Sequence, residues 1–412
     1  MADNFKRKDI KSSGLMNKIM EDYFRELKEN EESKTKKVAW CTSVGPAELL
    51  RGMGFLVFFP ENHGAMLGAK RLSTNLIDSA TALGYKPTDC SYMTSDVGAF
   101  VNKTTPLTEA YGFKAVPKPD VLVYNTGQCR DVQDWFEWYG KQFAVPVLGM
   151  HIPRDLTDDD NPYLHKEACR QLRVIAEQLE KIAGRKLDMS AFQQVVANSK
   201  RTSELWSKCL GINSNTPAPW TFFDSCIHMG PAVVMRGMAA ANDYYVELLK
   251  ELEGLVANKT AAVEGEKHRL FWTGIPVWGK IGALSKIFGN LKTNVVASTY
   301  CSSWMFNDLD GEQPFESLGK VYSELYIGGS AERKGRVLQR FFDQFGVTGI
   351  IYHDAWTCPY SSENRYGLPI RLNQQNKIPY IVIDGDLNDL RCYSEEQTRT
   401  KIEALVEDME GI

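Results

Sequence analysis

The sequence predicts an α/β protein of two parallel-sheet lobes with a helical segment between them and an N-terminal helical arm. Three observations predict this fold class. Short, continuous apolar runs rich in β-branched residues alternate with helical stretches in both halves of the chain. The middle of the chain shows helical periodicity alone, and 412 residues exceed what a single hydrophobic core usually holds.

The first 37 residues are rich in charge and precede the first apolar run. Apolar side chains recur in this region at helical spacing, at Met16, Ile19, Met20, Phe24 and Leu27. We expect an amphipathic arm over 16–29 that docks on a neighbouring subunit or packs back onto the chain. Residues 29–37 are expected to form a solvated linker.

The apolar runs place four strands in each lobe. Those of the first lobe are predicted at 38–43, 55–60, 121–126 and 145–152, and those of the second at 269–274, 294–299, 349–354 and 380–386. Between them, three helices are predicted at 163–183, 189–211 and 232–258. We therefore expect the arm and linker at 1–37, the first lobe at 38–160, the helical segment at 161–264 and the second lobe at 265–412.

Composition and charge exclude several classes of protein. The net charge of −4 comes from interspersed acids and bases, so no basic stripe predicts nucleic-acid binding. No run of 18 apolar residues predicts a membrane span, and the polar start does not resemble a signal peptide. The nine cysteines are therefore expected to be reduced thiols in a cytoplasmic protein.

Three cysteines fall in loops where ligands gather. Cys129 and Cys358 follow predicted strands of different lobes, and the carboxyl ends of parallel strands are where open α/β sheets bind ligands. Cys90 lies in a loop between helical stretches of the first lobe. A lone cysteine is more often a small core residue than a ligand, and no CxxC spacing is present, so both interpretations stay open.

The other six cysteines favour a core role. Three lie in helical patterns and three lie in or beside strand-like runs: Cys169, Cys209 and Cys226, then Cys41, Cys301 and Cys392.

A second candidate set follows the first two strands. Ser43 lies in a strand-to-helix turn before a helix predicted from Ala47, whose first N–H groups could receive an anion or a carbonyl oxygen. Glu61, Asn62 and His63 occupy the next such turn. Glu61 is either an acid that complements the helix dipole or a catalytic acid/base.

Six motifs together resemble the 2-hydroxyacyl-CoA dehydratase/benzoyl-CoA reductase family. They are AWCTSVGPAELL, FPENHGAMLGAKR, DCSYMTSDVG, YNTGQCRDVQDWFE, WTCPYS and IDGDLNDLR, and they occur in the family's order. The likeness runs from about residue 38 to the C-terminus.

The resemblance implies two flavodoxin-like lobes with a [4Fe–4S] cluster between them, held by Cys90, Cys129 and Cys358. It also implies a related second subunit in a heterodimer, and an ATP-dependent iron–sulfur activator that delivers one electron. That electron converts an acyl-CoA thioester into a ketyl radical. A (R)-2-hydroxyacyl-CoA then loses water to give an enoyl-CoA.

Ser43 and Glu61 match positions beside the iron that lacks a thiolate. The resemblance therefore implies that Ser43 is a hydrogen-bonding or ligand group next to the cluster and that Glu61 is the acid/base. The residues that bind substrate, and its acyl group, are not indicated by any motif.

The motifs divide between two reactions. TSVGPAEL and PENHGAMLGAK resemble the substrate-carrying dehydratase subunit, whereas VVASTY, RGMAAANDYY and TGQCRDVQDWFE resemble a benzoyl-CoA reductase subunit. We favour the dehydratase because the first pair lies where the chemistry is expected. His63 and Pro359 depart from both patterns and bear on the choice of substrate. A double-cubane-cluster reductase of small molecules and an electron-relay subunit are the remaining alternatives.

Overall fold

Two parallel four-stranded sheets form the frame of the protein. A computed structural model describes residues 5–154, 160–364 and 367–411. The strands are β1 (Val38–Cys41), β2 (Leu56–Phe58), β3 (Val121–Asn125), β4 (Val147–Met150), β5 (His268–Thr273), β6 (Thr293–Ser298), β7 (Gly349–Ala355) and β8 (Tyr380–Gly385). Their order is β2-β1-β3-β4 in one sheet and β6-β5-β7-β8 in the other, which confirms the predicted fold class.

Helices cover both sheets and fill the region between them. Within the described residues the α-helices are α1 (Ser13–Ser33), α2 (Ala47–Gly52), α3 (Pro60–Ala69), α4 (Ser73–Thr81), α5 (Ser91–Val101), α6 (Leu107–Tyr111), α7 (Asp131–Phe143), α8 (Pro162–Ala183), α9 (Met189–Gly211), α10 (Phe222–His228), α11 (Gly230–Val234), α12 (Ala239–Ala257), α13 (Ile281–Asn290), α14 (Thr299–Ser302), α15 (Pro314–Ser323), α16 (Ala331–Phe345), α17 (Leu368–Asn376) and α18 (Glu395–Glu410). None of them combines the length and apolar character that crossing a membrane requires.

The inner strands are short and apolar because helices bury both of their faces. Every residue of β1 and of β3 is buried. Trp40 of β1 packs against Phe58 of β2 and Tyr139 of α7, with ring centroids 5.1 and 4.8 Å apart. Continuous rather than alternating hydrophobicity is what a doubly covered parallel strand requires.

The N-terminal arm packs back onto its own chain. Tyr23, Phe24 and Leu27 of α1 are buried, and the Tyr23 hydroxyl donates to the Val57 carbonyl oxygen at 2.5 Å. The predicted linker at 29–37 is wrong in part, since α1 continues to Ser33. The buried Asn30 explains this, because its side chain exchanges two 2.9 Å hydrogen bonds with the Lys36 backbone.

The helical segment departs from prediction at one place. Helices α8 and α9 match the predicted 163–183 and 189–211, but the helix predicted at 232–258 is interrupted between α11 and α12. Gly237 has a φ of +84°, which ends regular helix, and a Cβ there would lie 2.5 Å from Val195 Cγ1. The preceding residue, Arg236, is buried, and at this break its side chain contacts the backbone of Ser43 and Gly45 in the first lobe.

The lobes meet at the ends of their strands. Asn388, which follows β8, donates from Nδ2 to the Gly64 carbonyl oxygen and to Ser95 Oγ, both at 2.8 Å. The Ser91 N–H donates to Thr357 Oγ1 at 3.0 Å. These bonds tie α3 and α5 of the first lobe to the loops of the second. The exact domain boundaries stay a prediction.

Candidate functional site

One cavity of about 280 Å³ lies where the lobes meet. Its lining includes all five residues that the sequence singles out as site residues: Ser43, Glu61, Cys90, Cys129 and Cys358. They come from four loops or helix starts of the first lobe and one loop of the second. The fold therefore brings together residues that are far apart in the chain, with 315 positions between Ser43 and Cys358.

Ser43 lies in the tight turn between β1 and α2. Gly45 allows this turn to close, because a Cβ there would lie 2.6 Å from Thr42 Oγ1. Arg236 holds the turn from behind, with Nη1 donating to the Ser43 carbonyl oxygen at 2.6 Å and Nη2 to that of Gly45 at 3.0 Å. Its Nε lies 3.2 Å from the buried Glu48 carboxylate, which balances the buried charge.

Glu61 lies in the first turn of α3, and its carboxyl reaches across to neighbouring loops. Oε2 accepts from the Ser43 N–H at 2.5 Å, and Oε1 accepts from Gln128 Nε2 at 2.6 Å. Burial raises the pKa of Glu61 above its ordinary value, while the hydrogen bonds from Ser43 and Gln128 act in the opposite direction. A carboxyl with a raised pKa keeps its proton to higher pH than an exposed glutamate does, which suits a group that gives and takes protons beside a cavity.

The two cysteines of the first lobe each precede a helix. Cys90 is the residue before α5, and its sulfur accepts the Met93 N–H. Cys129 precedes α7 by two residues, and its sulfur accepts the Val132 N–H. Amides at a helix start stabilise negative charge, so both positions suit a metal-bound thiolate.

Cys358 approaches from the second lobe, in the loop after β7. The Ser361 hydroxyl and N–H both donate to its sulfur. The neighbouring Thr357 is tied to Asp386, with its N–H and hydroxyl donating to Oδ2 at 2.8 and 2.7 Å. The same hydroxyl accepts the Ser91 N–H, so the loops of Cys358 and Cys90 are joined directly.

The three thiols lie in a site that disfavours their ionisation without a metal. Burial raises the pKa of all three, and the charge of Asp131 raises that of Cys90 and Cys129 further. Among the described residues that line the cavity there is no Lys, Arg or His. Three thiolates here need a bound cation as counter-charge, and iron ions fit that need.

The spacing of the sulfurs also bears on which metal group fits. Within the described part of the chain, one group of three His, Cys, Asp or Glu side chains has ligand atoms that all lie within 4.8 Å of one another. It consists of Asp160, His165 and Glu324, so the sulfurs of Cys90, Cys129 and Cys358 do not meet this limit. The three cysteine sulfurs are thus more widely spaced than around one zinc ion, where bonds of about 2.3 Å separate sulfurs by roughly 3.8 Å. A multi-iron cluster suits this wider arrangement.

Asp160, His165 and Glu324 are not part of the cavity lining. His165 Nε2 lies 2.5 Å from Glu324 Oε1 and its Nδ1 lies 3.6 Å from Asp160 Oδ1, so the group is explained as a histidine between two acids.

Sequence reasoning did not single out Gln128 and Arg236, although both stand in the motifs that carry the family resemblance. Gln128 precedes Cys129 and binds Glu61, and Arg236 supports Ser43. Their partners lie 67 and 193 positions away. Local spacing carries no signal for contacts at such separations.

The remaining cysteines divide by burial. Four of them are buried, as predicted: Cys41, Cys209, Cys226 and Cys301. Cys226 also lines the cavity, and its sulfur lies 3.9 Å from that of Cys301. Cys169 and Cys392 are only half-buried, and Cys169 packs against the edge of the core. Cys169 faces the exposed Arg173–Glu316 ion pair, and Cys392 lies in a short turn after β8.

Residues 42–409 match the sequence model of the 2-hydroxyglutaryl-CoA dehydratase, D-component, family. The chain belongs to this family. That confirms the resemblance seen in the six motifs, and the match covers both lobes and the helical segment.

The family assignment agrees with individual relatives. The chain is 27% identical to the lactoyl-CoA dehydratase subunit alpha of Anaerotignum propionicum, over 97% of this chain and 98% of that protein. It is 28% identical to the (R)-2-hydroxyisocaproyl-CoA dehydratase alpha subunit of Clostridioides difficile, over 95% and 94%. A benzoyl-CoA reductase subunit of Thauera aromatica is similar at 23% identity, over 96% and 94%.

Proposed function

We propose that the chain is the substrate-carrying iron–sulfur subunit of a radical (R)-2-hydroxyacyl-CoA dehydratase. One observation carries the proposal: Cys90, Cys129 and Cys358 line the same cavity as the hydrogen-bonded pair of Ser43 and Glu61. The first three residues supply a set of thiolates and the last two supply a proton-handling group. The dehydratase relatives, at higher identity than the reductase relative, support this choice of reaction.

In the proposed site, Cys90, Cys129 and Cys358 would hold a [4Fe–4S] cluster. When bound, such a cluster supplies one-electron reduction together with one iron that has no thiolate ligand. Ser43 would serve this iron as a hydrogen-bonding or ligand group. Arg236 and Gly45 keep the Ser43 turn in place, so the reacting groups need little rearrangement.

Glu61 moves the protons of the elimination. Its carboxyl gives a proton to the 2-hydroxyl, which leaves as water, and its carboxylate then takes the proton lost from C3. The acyl group becomes an enoyl group, and Glu61 returns to its starting state. Gln128 and the Ser43 N–H hold the carboxyl in place through both transfers.

The proposed enzyme needs two protein partners. The relatives named as alpha subunits support a related second subunit in a heterodimer. An ATP-dependent iron–sulfur activator supplies the electron, as the family resemblance implies. We expect these partners in the compartment where the chain is made, the cytoplasm.

The test is anaerobic turnover by the chain with its second subunit, activator, ATP and reductant. We expect a 2-hydroxyacyl-CoA to lose water and give the 2-enoyl-CoA, detected by mass spectrometry. The activator's electron should act catalytically, with many products per electron. Consumption of two electrons per product, with reduction of a benzoyl ring, would instead establish the alternative benzoyl-CoA reductase.

Iron and sulfide content tests the remaining alternatives. Four irons per chain are expected from one cluster on three cysteines. A clearly higher content would favour the double-cubane reductase. A cluster whose spectrum does not respond to any acyl-CoA would favour an electron-relay subunit.

A further inference from the structure

We propose that the cavity accepts a neutral, apolar 2-hydroxyacyl group and rejects an acyl chain that ends in a carboxylate. The inference rests on the proposed function, since it assumes that the acyl group reacts beside Glu61 and the three cysteines. It adds the class of substrate, which no sequence motif indicates.

One wall of the cavity is a continuous run of aromatic rings. The rings of Trp278 and Tyr300 lie 5.8 Å apart and those of Tyr300 and Trp304 lie 6.4 Å apart, both edge to face. Ile227 and Met229, from the end of α10, also line the cavity. Lining of this kind favours burial of hydrocarbon and offers a carboxylate no counter-charge in exchange for its lost water.

The charged residues of the lining have the wrong sign for a second carboxylate. Among the described lining residues, the charged side chains are the acids Glu61, Asp131 and Glu363, and there is no Lys, Arg or His. A terminal carboxylate in the cavity would therefore find no cationic partner among the described lining residues.

The buried cation behind the Ser43 turn is already bound. Arg236 donates to the carbonyl oxygens of Ser43, Gly45 and Val233 and to the Glu48 carboxylate. To receive a substrate carboxylate it would have to leave these buried groups without donors.

Two further cationic side chains contact residues of the lining, and both already have hydrogen-bond or ion-pair partners. Arg154 donates to the carbonyl oxygens of Gln128 and Ile327 and lies over the Tyr360 ring at 4.1 Å. Lys334 Nζ lies 3.5 Å from a Glu363 carboxylate oxygen and 3.1 Å from the Tyr360 carbonyl oxygen. Neither Arg154 nor Lys334 lines the cavity itself.

The experiment compares three CoA thioesters in the cluster-loaded complex. They are (R)-2-hydroxyisocaproyl-CoA, (R)-2-hydroxyglutaryl-CoA and the γ-methyl ester of the latter, which keeps the chain but removes its charge. Two quantities are measured: kcat/KM with the activator, and the dissociation constant without it, when no turnover occurs. Free CoA serves as the reference for binding.

We expect kcat/KM for the isocaproyl thioester to exceed that for the glutaryl thioester by at least ~100-fold. The methyl ester should recover at least ~10-fold of this loss, and the dissociation constants should follow the same order. A glutaryl thioester that binds and reacts as well as the isocaproyl one, or an ester no better than the acid, would overturn the inference alone. If none of the three reacts or binds better than CoA, the proposed function is overturned with it.

Discussion

Cys90, Cys129 and Cys358 are distinguished from the other cysteines by what surrounds each sulfur. Each accepts a backbone N–H from Met93, Val132 or Ser361 respectively, and each borders the cavity between the lobes. Cys209 also accepts a backbone N–H but lies away from the cavity, so it is the combination of a backbone donor and a place in the cavity lining that distinguishes these three positions.

Replacing each of these three cysteines by Ser tests the cluster directly. In Cys90→Ser, Cys129→Ser and Cys358→Ser we expect iron content to fall to less than about half, because hydroxyl is a poor substitute for a thiolate ligand. Cys169→Ser is the matched control, since Cys169 is also half-buried but lies away from the cavity. Its iron content should not change, and equal iron in all four variants would disprove the assignment.

Glu61→Gln tests the proposed proton transfer. The amide can keep the contact with the Ser43 N–H, but it cannot give up a proton as a carboxyl does. We expect kcat to fall by ~10²-fold or more while iron content is retained. Glu109→Gln, at an exposed glutamate of the same lobe, should leave kcat unchanged.

The pH dependence of kcat is a second test of the role of Glu61. Because burial raises the pKa of Glu61, its acid form persists to higher pH than that of an exposed glutamate. Activity that needs this form is present below the raised pKa and is lost as pH rises through it. The falling limb of kcat against pH should therefore disappear in Glu61→Gln, and its persistence there would assign the limb to another group.

At the scale of elements, the buried histidine of α10 holds the N-terminal arm in place. His228 Nδ1 lies 2.5 Å from the Tyr244 hydroxyl of α12, and Nε2 lies 3.3 Å from Ser13 Oγ at the start of α1. Glu251 adds to this attachment by accepting the Lys11 and Ser12 N–H groups at 2.7 and 2.8 Å. The arm is therefore an integral part of the fold.

Acid should weaken the attachment of the arm. Burial lowers the pKa of His228 to about 4 from 6.5. Between these values the unfolded chain binds a proton that the folded chain does not, so stability falls as pH decreases. From pH 7 to pH 5 this amounts to about 2 kcal/mol.

Urea unfolding of the cluster-free chain at pH 7 and pH 5 measures this effect. The loss of unfolding free energy between the two values should be smaller by about 2 kcal/mol in His228→Gln than in the unchanged chain. An equal loss in both proteins would show that His228 does not contribute to acid sensitivity.

Across the whole molecule, the cavity exists only while the lobes remain in close contact. Gly68 of α3 makes one such contact possible: a Cβ there would lie 2.0 Å from Asn388 Oδ1 and 3.2 Å from Trp278 Cβ. Asn388 cannot easily move away, because its Nδ2 is bonded to Gly64 and Ser95.

Gly68→Ala should therefore push the lobes apart at the cavity. We expect stability to fall by about 1–3 kcal/mol and the reconstituted iron content to decrease. Gly254→Ala in α12 is the control, because nothing lies within 4 Å of its Cβ position, and it should raise stability by up to ~1 kcal/mol. Thermal unfolding and iron assay measure both variants. Equal stability and equal iron content in the two would contradict the role given to Gly68.

Patterns among neighbouring residues are enough to predict the type and rough position of most elements. All eight predicted strands are present, and the ends that differ have local causes, such as Pro60, which begins α3 and so ends the run predicted at 55–60. Strand runs and helical periods are properties of neighbouring residues, which is why a single sequence reveals them. The family motifs, likewise local, indicated Ser43, Glu61 and the three cysteines as site residues.

The contacts that those residues make became known from the folded chain. The contact of Gln128 with Glu61, the support of Ser43 by Arg236 and the link between Ser91 and Thr357 join residues far apart in the chain. The break in the helix predicted at 232–258 belongs here too, since it serves Arg236, whose partners lie in the first lobe. Such contacts depend on how the two sheets are oriented, and local spacing carries no information about that orientation.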